Sequence, residues 1–315
     1  MATVKLTTMK AVRMHEFGGP DVLKFEDVPV PEPGADEVLV KVIAAAVNPV
    51  DWKVRQDGHG WGYKTPFTPG WDVSGIVEKT GAKVKDLKPV DAVYGMLDLV
   101  RGGAYAQYVC AKASWLAPKP ESLDHIHAAA VPLAALTAWQ AIFDVAGLSP
   151  GQTILVHAAA GGVGHFAVQL AKWKGARVIG TASARNMAFL RELGADEVID
   201  YTAQRFEDAV RDVDVVLDTM AGETQERSWK VLKKGGIMVS TLGEPSSEKA
   251  RQYGARGAGM MVAPNAGQLK EIAGLIDAGR LKPHVETVLP LSKVRKAHEL
   301  SQGGHVRGKI VLEVA

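Results

Sequence analysis

The sequence predicts an α/β protein made of a doubly wound parallel sheet and a second, smaller β-rich domain. Three observations predict it. From about residue 130, short apolar runs alternate with helix-period segments, the pattern of parallel strands joined by crossover helices. Before that point the chain reads as strands broken by proline clusters. Glycine accounts for 33 of 315 residues, above the usual share of roughly 7%, which marks tight turns and close backbone approach.

The elements follow in order. Residues 38–42 and 74–78 are predicted strands. Pro29, Pro31 and Pro33 mark an irregular connector, and Pro66, Pro69 and Gly70 break the chain again before Trp71. Residues 153–157 form a short apolar run of the kind buried on both faces in a parallel sheet. A helix follows, with Val163, Phe166, Ala167, Leu170 and Ala171 on one buried face. Residues 177–181, 197–200, 213–217 and 237–241 continue the strands, with a second helix over 185–193. Helices over 268–278 and 292–302 and strands over 285–289 and 309–314 close the chain and are expected to return to the first domain. The predicted domains are therefore 1–130, 131–263 and a return segment, 264–315.

Composition excludes several classes. A net charge of +2, 47% hydrophobic and 23% charged residues rule out a disordered chain, a coiled coil and a collagen-like fibre. No run of lysine and arginine provides a nucleic-acid footprint. The amino-terminal ten residues are polar, unlike an export signal. The longest apolar stretch, 153–170, is interrupted by His157, His165 and a glycine cluster, so no membrane span is expected. The single cysteine, Cys110, excludes an internal disulfide framework and fits a reducing, cytoplasmic setting.

The strongest motif is Ala159-Ala160-Gly161-Gly162-Val163-Gly164, a G-x-G-x-x-G pattern with alanine in the first glycine's place. It follows a predicted strand and opens a helix, the context in which such a turn binds a dinucleotide in a Rossmann domain. The helix N-terminus supplies N–H donors for the pyrophosphate. NAD enzymes carry a carboxylate at the end of the second strand. Here the segment is Thr181-Ala182-Ser183-Ala184-Arg185, without one. Hydroxyls and a guanidinium suit a 2′-phosphate, so NADP(H) is the expected cofactor; the competing reading of Arg185 is a solvated first-turn residue.

Further runs carry a family resemblance. Asn48-Pro49-Val50-Asp51-Trp52-Lys53, Pro69-Gly70-Trp71-Asp72-Val73-Ser74-Gly75, Ala135-Leu136-Thr137-Ala138, the glycine turn and Leu193-Gly194-Ala195-Asp196 span nearly the whole chain. Together they resemble the zinc-independent quinone oxidoreductase branch of the medium-chain dehydrogenase/reductase superfamily, kin to zeta-crystallin and alkenal reductases. The resemblance implies a GroES-like catalytic domain beside the Rossmann domain, with the cleft between them. It departs at Val90-Asp91, where the family has Gly-Asp in what is expected to be a turn.

The resemblance also implies roles. The positions of zinc ligands in zinc-containing kin hold Asn48, Trp71 and Leu133 here, a set unsuited to catalytic zinc. Thr137 is implied near the nicotinamide ribose, against a helix threonine bonding to its own backbone. Tyr201 is implied at the adenosine phosphate, against an edge aromatic. Leu242 and Gly243, at the carboxyl end of a strand, are placed to line the nicotinamide. Lys309 is expected to reach the pyrophosphate or to be a solvated edge-strand lysine. Trp52, Tyr63, Trp71, Tyr94 and Met96 are candidate pocket walls or core. Asn48, Lys53 and Tyr63 are the candidates for activating the acceptor, whereas Asp51 and Asp72 are expected to fix loops.

The expected activity is hydride transfer from NADPH to an enone, enal or quinone in a zinc-independent homodimer. An NADPH-binding structural or RNA-binding protein and an alcohol dehydrogenase are the alternatives.

Overall fold

The computed structural model describes residues 7–315; residues 1–6, part of the polar amino-terminal segment, lie outside the described residues. The chain forms two units. One contains the residues up to Leu133 with Ala263–Ala278 and Pro283–Ala315; the other contains Ala134–Val262 and Gly279–Lys282.

In the first unit, β1 (Thr8–Arg13) and β2 (Lys24–Pro29) pair antiparallel. The long β3 (Glu37–Val47) leads into α1 (Pro49–Asp57). Next come β4 (Asp72–Thr80), β5 (Ala92–Met96), β6 (Tyr108–Lys112), β7 (Leu116–Pro118) and α2 (His125–Ala129). Helix α3 (Pro132–Trp139) carries the chain from the first unit into the second.

The second unit contains β8 (Thr153–Val156), α4 (Gly164–Trp173), β9 (Arg177–Ala182), α5 (Met187–Glu192) and β10 (Glu197–Asp200). It continues with α6 (Phe206–Ala209), β11 (Val213–Asp218), α7 (Gly222–Ser228), β12 (Leu232–Ser240), α8 (Ser247–Gln252) and β13 (Arg256–Gly259). The last elements are α9 (Ala266–Asp277), β14 (Val285–Pro290), α10 (Val294–Gln302) and β15 (Lys309–Glu313).

The sheet of the first unit has the order β14-β15-β3-β4-β5-β7, with β6 also paired to β3. Two register shifts bend β3 against β4. Its first half takes β6 as a second neighbour and its second half takes β15, a division that bulges make possible by redirecting a strand. Ala44, Ala45 and Ala46 are fully buried, and Ala44 and Ala46 pack with Ala129, Ala130 and Val311. At Gly75 an added Cβ would lie 2.1 Å from the Lys41 carbonyl oxygen, so only glycine permits this β3–β4 spacing.

The six strands of the second unit are all parallel, in the order β10-β9-β8-β11-β12-β13. Counted within the unit this is 3-2-1-4-5-6, the Rossmann order, whose chain reversal between β8 and β11 opens a crevice at the strands' carboxyl ends. Leu155, Ile179, Ile199, Val216 and Met238 lie in one buried cluster with Trp229.

Two expectations change here. Helix α4 is buried from Gly164 through Ala171 rather than on one face. Its polar positions are satisfied: His165 Nδ1 lies 2.9 Å from the Gly161 carbonyl oxygen, and Gln169 Nε2 donates to the carbonyls of His165 and Lys282. The second helix begins later than residue 185, because Ala184–Asn186 form a 3₁₀ turn before α5.

Candidate active site

The cofactor candidates gather along one end of the parallel sheet. Ala160–Gly164 follow β8, Ser183 and Arg185 follow β9, Tyr201 follows β10, and Leu242 and Gly243 follow β12. Strand direction alone places them at the same edge. The glycine turn is tight: the Gly161 N–H donates to the Ala158 carbonyl at 2.9 Å. A Cβ at Gly164 would lie 2.4 Å from that oxygen and 2.6 Å from Ala159 Cα. A helix N-terminus carries N–H groups without intrahelical partners, the arrangement that receives a phosphate; in α4 the His165 N–H is already bonded to the Gly161 carbonyl at 3.1 Å. The turn's residues therefore fit a dinucleotide.

The end of β9 is more differentiated than the sequence suggests. Arg185 is exposed and Ser183 is partly exposed. Thr181, expected beside them, is only 4% exposed. Its Oγ1 lies 3.2 Å from His157 Nδ1, so this hydroxyl is committed inside the unit rather than to a phosphate. Tyr201 and Leu242 are exposed, and Gly243 has a φ of 123°. Thr137 is buried on α3.

Two residues here escaped sequence reasoning. His157 ends the β8 run, and its ring joins β9 to α7 through Thr181 and Ser228. Asp218, fully buried at the end of β11, accepts hydrogen bonds from the backbone of Met220 and Ala221 and from Gln225 and Ser240. It holds the turn in which Ala221 adopts a φ of 57°. The available signal was a polar residue closing an apolar strand.

The first unit holds a different arrangement. Asn48 precedes α1, and its backbone N–H donates to Asp51 Oδ2 at 2.6 Å, one half of a capping box. Asn48 Nδ2 donates to Asp72 Oδ2 at 2.8 Å, and the Leu133 N–H donates to Asp72 Oδ1 at 2.6 Å. The Lys309 ammonium donates to Asn48 Oδ1 and lies 3.2 Å from Asp72 Oδ2. Asp72 and Lys309 are 0% and 2% exposed. Burial pushes the Asp72 carboxyl up, while the ammonium and the two N–H donors pull it back. Removing one partner of such a pair typically costs about 3–5 kcal/mol, because the other charge is left buried.

These contacts revise three expectations. Lys309 lies on an inner strand with its charge engaged by Asp72, so it is neither a solvated edge lysine nor directed to a pyrophosphate. Asn48 is buried with both ends of its amide used, which makes it a builder of the site rather than a free donor. The Tyr63 hydroxyl donates to the Leu99 carbonyl, which also receives Trp71 Nε1–H at 3.0 Å. Burial raises the Tyr63 phenol to about 12. Its proton is thus spent on a loop. Lys53 is half-buried, with its ammonium 5.7 Å from the Trp52 ring centroid, and desolvation lowers its pKa. Of the candidate walls, Trp71, Tyr94 and Met96 are fully buried core, and the Tyr94 hydroxyl donates to the Leu269 carbonyl.

Comparison with known proteins agrees with this architecture. Residues 34–121 match the family model described as alcohol dehydrogenase GroES-like domain, and residues 193–312 match the one described as zinc-binding dehydrogenase. An NADPH-dependent alkenal/one oxidoreductase of Arabidopsis thaliana is 38% identical over 96% of this chain and 79% of its own. A quinone oxidoreductase of Mus musculus is 34% identical over 96% of this chain and 97% of its own. The chain belongs to the medium-chain dehydrogenase/reductase superfamily. Among solved members, a quinone oxidoreductase from Coxiella burnetii superposes with a TM-score of 0.93 at 38% identity, covering 98% of this chain and all of that one. The first unit is thus the superfamily's GroES-like domain and the second its Rossmann-like domain.

The matched family description implies a metal, but the donor set does not fit one. Of the three positions matched to zinc ligands, Asn48 carries an amide bound to Asp72 and Lys309, Trp71 an indole N–H bound to Leu99, and Leu133 an aliphatic side chain without a ligating atom. Zinc sites in enzymes use thiolate, imidazole or carboxylate ligands. A buried ammonium already stands against Asn48 and Asp72.

Proposed function

We propose that the protein is an NADPH-dependent, zinc-independent oxidoreductase that reduces enones, enals or quinones. The observation that carries this reading is the glycine turn between β8 and α4, with a carboxylate-free segment, Ala182–Arg185, ending the neighbouring strand. Gly161–Gly164 would hold the pyrophosphate, Ser183 and Arg185 the 2′-phosphate, and Thr137, Tyr201, Leu242 and Gly243 the remainder of the dinucleotide. Relatives whose names specify NADPH, alkenals and quinones support the cofactor and the acceptor class.

The bound cofactor supplies hydride; the protein supplies orientation and hydrogen-bond donors. Charge developing on the acceptor oxygen needs donors fixed in advance. With Asn48 and Tyr63 committed to their own loops, Lys53 and backbone N–H groups carry that role. The Asp72–Lys309 pair keeps the Asn48–Lys53 segment in place. We further propose that it is a cytoplasmic homodimer, a setting that a single cysteine fits. Separately, no helix among the described residues is long and apolar enough to cross a membrane.

The test follows NADPH absorbance against a panel of enals, enones and quinones, before and after prolonged chelation. Turnover unchanged by chelation is expected. Activity lost to the chelator and restored by zinc would overturn the metal-free reading, and inactivity with every acceptor would overturn the substrate class.

A further inference from the structure

We propose that His157 is a positioning residue for the nucleotide loop, clamping the end of β8 so that Ala158 keeps the left-handed backbone from which the glycine turn starts. All four polar groups of His157 are engaged, and the residue is 1% exposed. Its N–H donates to the Leu217 carbonyl at 3.1 Å, and its carbonyl accepts from Thr219 Oγ1 at 3.1 Å. Both contacts cross to the end of β11, at the point where the sheet's chain order reverses. On the ring, Nε2 lies 2.8 Å from Ser228 Oγ and Nδ1 lies 3.2 Å from Thr181 Oγ1.

The hydrogen-bond directions follow from Ser228. Its hydroxyl donates to the Thr224 carbonyl at 2.7 Å. With its one proton spent, Ser228 Oγ accepts from His157, so Nε2 carries the hydrogen. In a neutral ring Nδ1 is then the acceptor, and Thr181 donates to it. Burial lowers the His157 pKa to about 4, with Asp218 and Glu207 raising it and Arg227 lowering it as smaller influences. The ring also meets Phe206 edge to face at 4.7 Å.

The next residue shows what the clamp holds. Ala158 has a φ of 46°, a conformation that favours glycine because a Cβ crowds the backbone there. Its carbonyl receives the Gly161 N–H and faces Gly164 closely enough to exclude any Cβ. Were Ala158 to relax to a right-handed conformation, that oxygen would swing away and the turn would open. His157 restrains it from one side. From the other, the Ala159 N–H donates to the Thr181 carbonyl at 3.0 Å. Thr181 therefore serves both flanks, through its hydroxyl and its carbonyl.

The inference rests on the reading that this turn holds a dinucleotide. Two measurements test it. In ¹⁵N NMR of the wild type, the His157 imidazole is expected as the neutral Nε2–H tautomer at neutral pH; a charged ring or the opposite tautomer overturns the proposal. NADPH binding is then titrated for the wild type, His157→Phe and Ser228→Ala, each with and without Ala158→Gly. His157→Phe is expected to weaken binding roughly tenfold, the left-handed penalty of about 1–2 kcal/mol read as affinity. Ala158→Gly should restore most of it, because glycine needs no clamp to hold that φ. Unchanged affinity, or a loss that glycine does not repair, overturns the clamp. If His157→Phe does not fold, Ser228→Ala carries the test, with a smaller loss and the same rescue expected. A wild type that binds neither NADPH nor NADH would overturn the underlying reading and the clamp with it, whereas normal wild-type binding beside unaffected variants overturns the clamp alone.

Discussion

Val90 stands where the family resemblance leads to the expectation of glycine, and it shows at the residue level why that difference matters. It is 80% exposed and has a φ of 71°. A β-branched residue is a genuine outlier in this region. Its exposed side chain offers little packing to offset a left-handed cost of about 1–2 kcal/mol, so Val90→Gly is expected to stabilise the protein by about 1 kcal/mol after glycine's greater unfolded-state entropy is subtracted. A rise in the urea midpoint at unchanged slope would show this; a fall would contradict it. Arg185 makes the cofactor prediction. A hydrogen bond to a charged group is worth about 1.5–3 kcal/mol. Arg185→Ala should therefore weaken NADPH binding about tenfold or more and leave NADH nearly unchanged. Titration of both cofactors decides, and tighter NADH binding by the wild type would sink the NADP assignment.

At the scale of elements, α4 is the decisive piece, because its first residue also closes the nucleotide turn. The clash that Gly164 avoids is with backbone atoms, which cannot rotate away as a side chain can. Gly164→Ala is expected to destabilise the protein by about 1–3 kcal/mol, the usual cost of overpacking, and to weaken dinucleotide binding as well. Thermal melting and cofactor titration together check it; a variant with wild-type values in both would show that the turn is looser than the structure implies. The helix and its strand were legible because apolar periodicity and glycine spacing agreed. Strand β13 was not: Arg256-Gly-Ala-Gly has no strand propensity, and only pairing with β12 makes it one. Helix α1 was also missed, since its apolar pattern is weak, although Asn48-Pro49 with Asp51 three positions on is a helix-start signal written in local order.

For the molecule as a whole, the buried polar network of the first unit sets a pH dependence. Asp51 is 0% exposed and its pKa is raised to about 7, chiefly by burial, with the Tyr105 hydroxyl, the Asn48 N–H and the Lys309 charge pulling it down. A carboxyl raised above its unfolded value of about 3.9 holds a proton in the native state that the unfolded state has released. Stability from this group is therefore full below about pH 4 and declines as pH rises to about 7, by on the order of 4 kcal/mol. Carboxyls held low elsewhere, such as Glu37, Asp196 and Asp214, act in the opposite sense, so the measurement is a difference: the melting temperature of Asp51→Asn relative to the wild type should rise with pH across that window. Equal slopes in the two proteins would show that Asp51 is not the titrating group.

The sequence by itself determined the parallel sheet, the glycine turn, the absence of a carboxylate after the second strand and the family to which the chain belongs. Each is written in local order: strand periodicity, fixed glycine spacing and short runs of neighbouring residues. Tertiary structure alone decided which polar groups are available for chemistry. Lys309 and Asn48 are separated by 261 positions, and nothing local to either announces that they meet over Asp72. Thr181 and His157 read as a ligand hydroxyl and an interruption in an apolar run until folding turns them toward each other. The physical reason is burial. A polar group removed from water must find a partner, and distant strands supply it only after the sheets have formed.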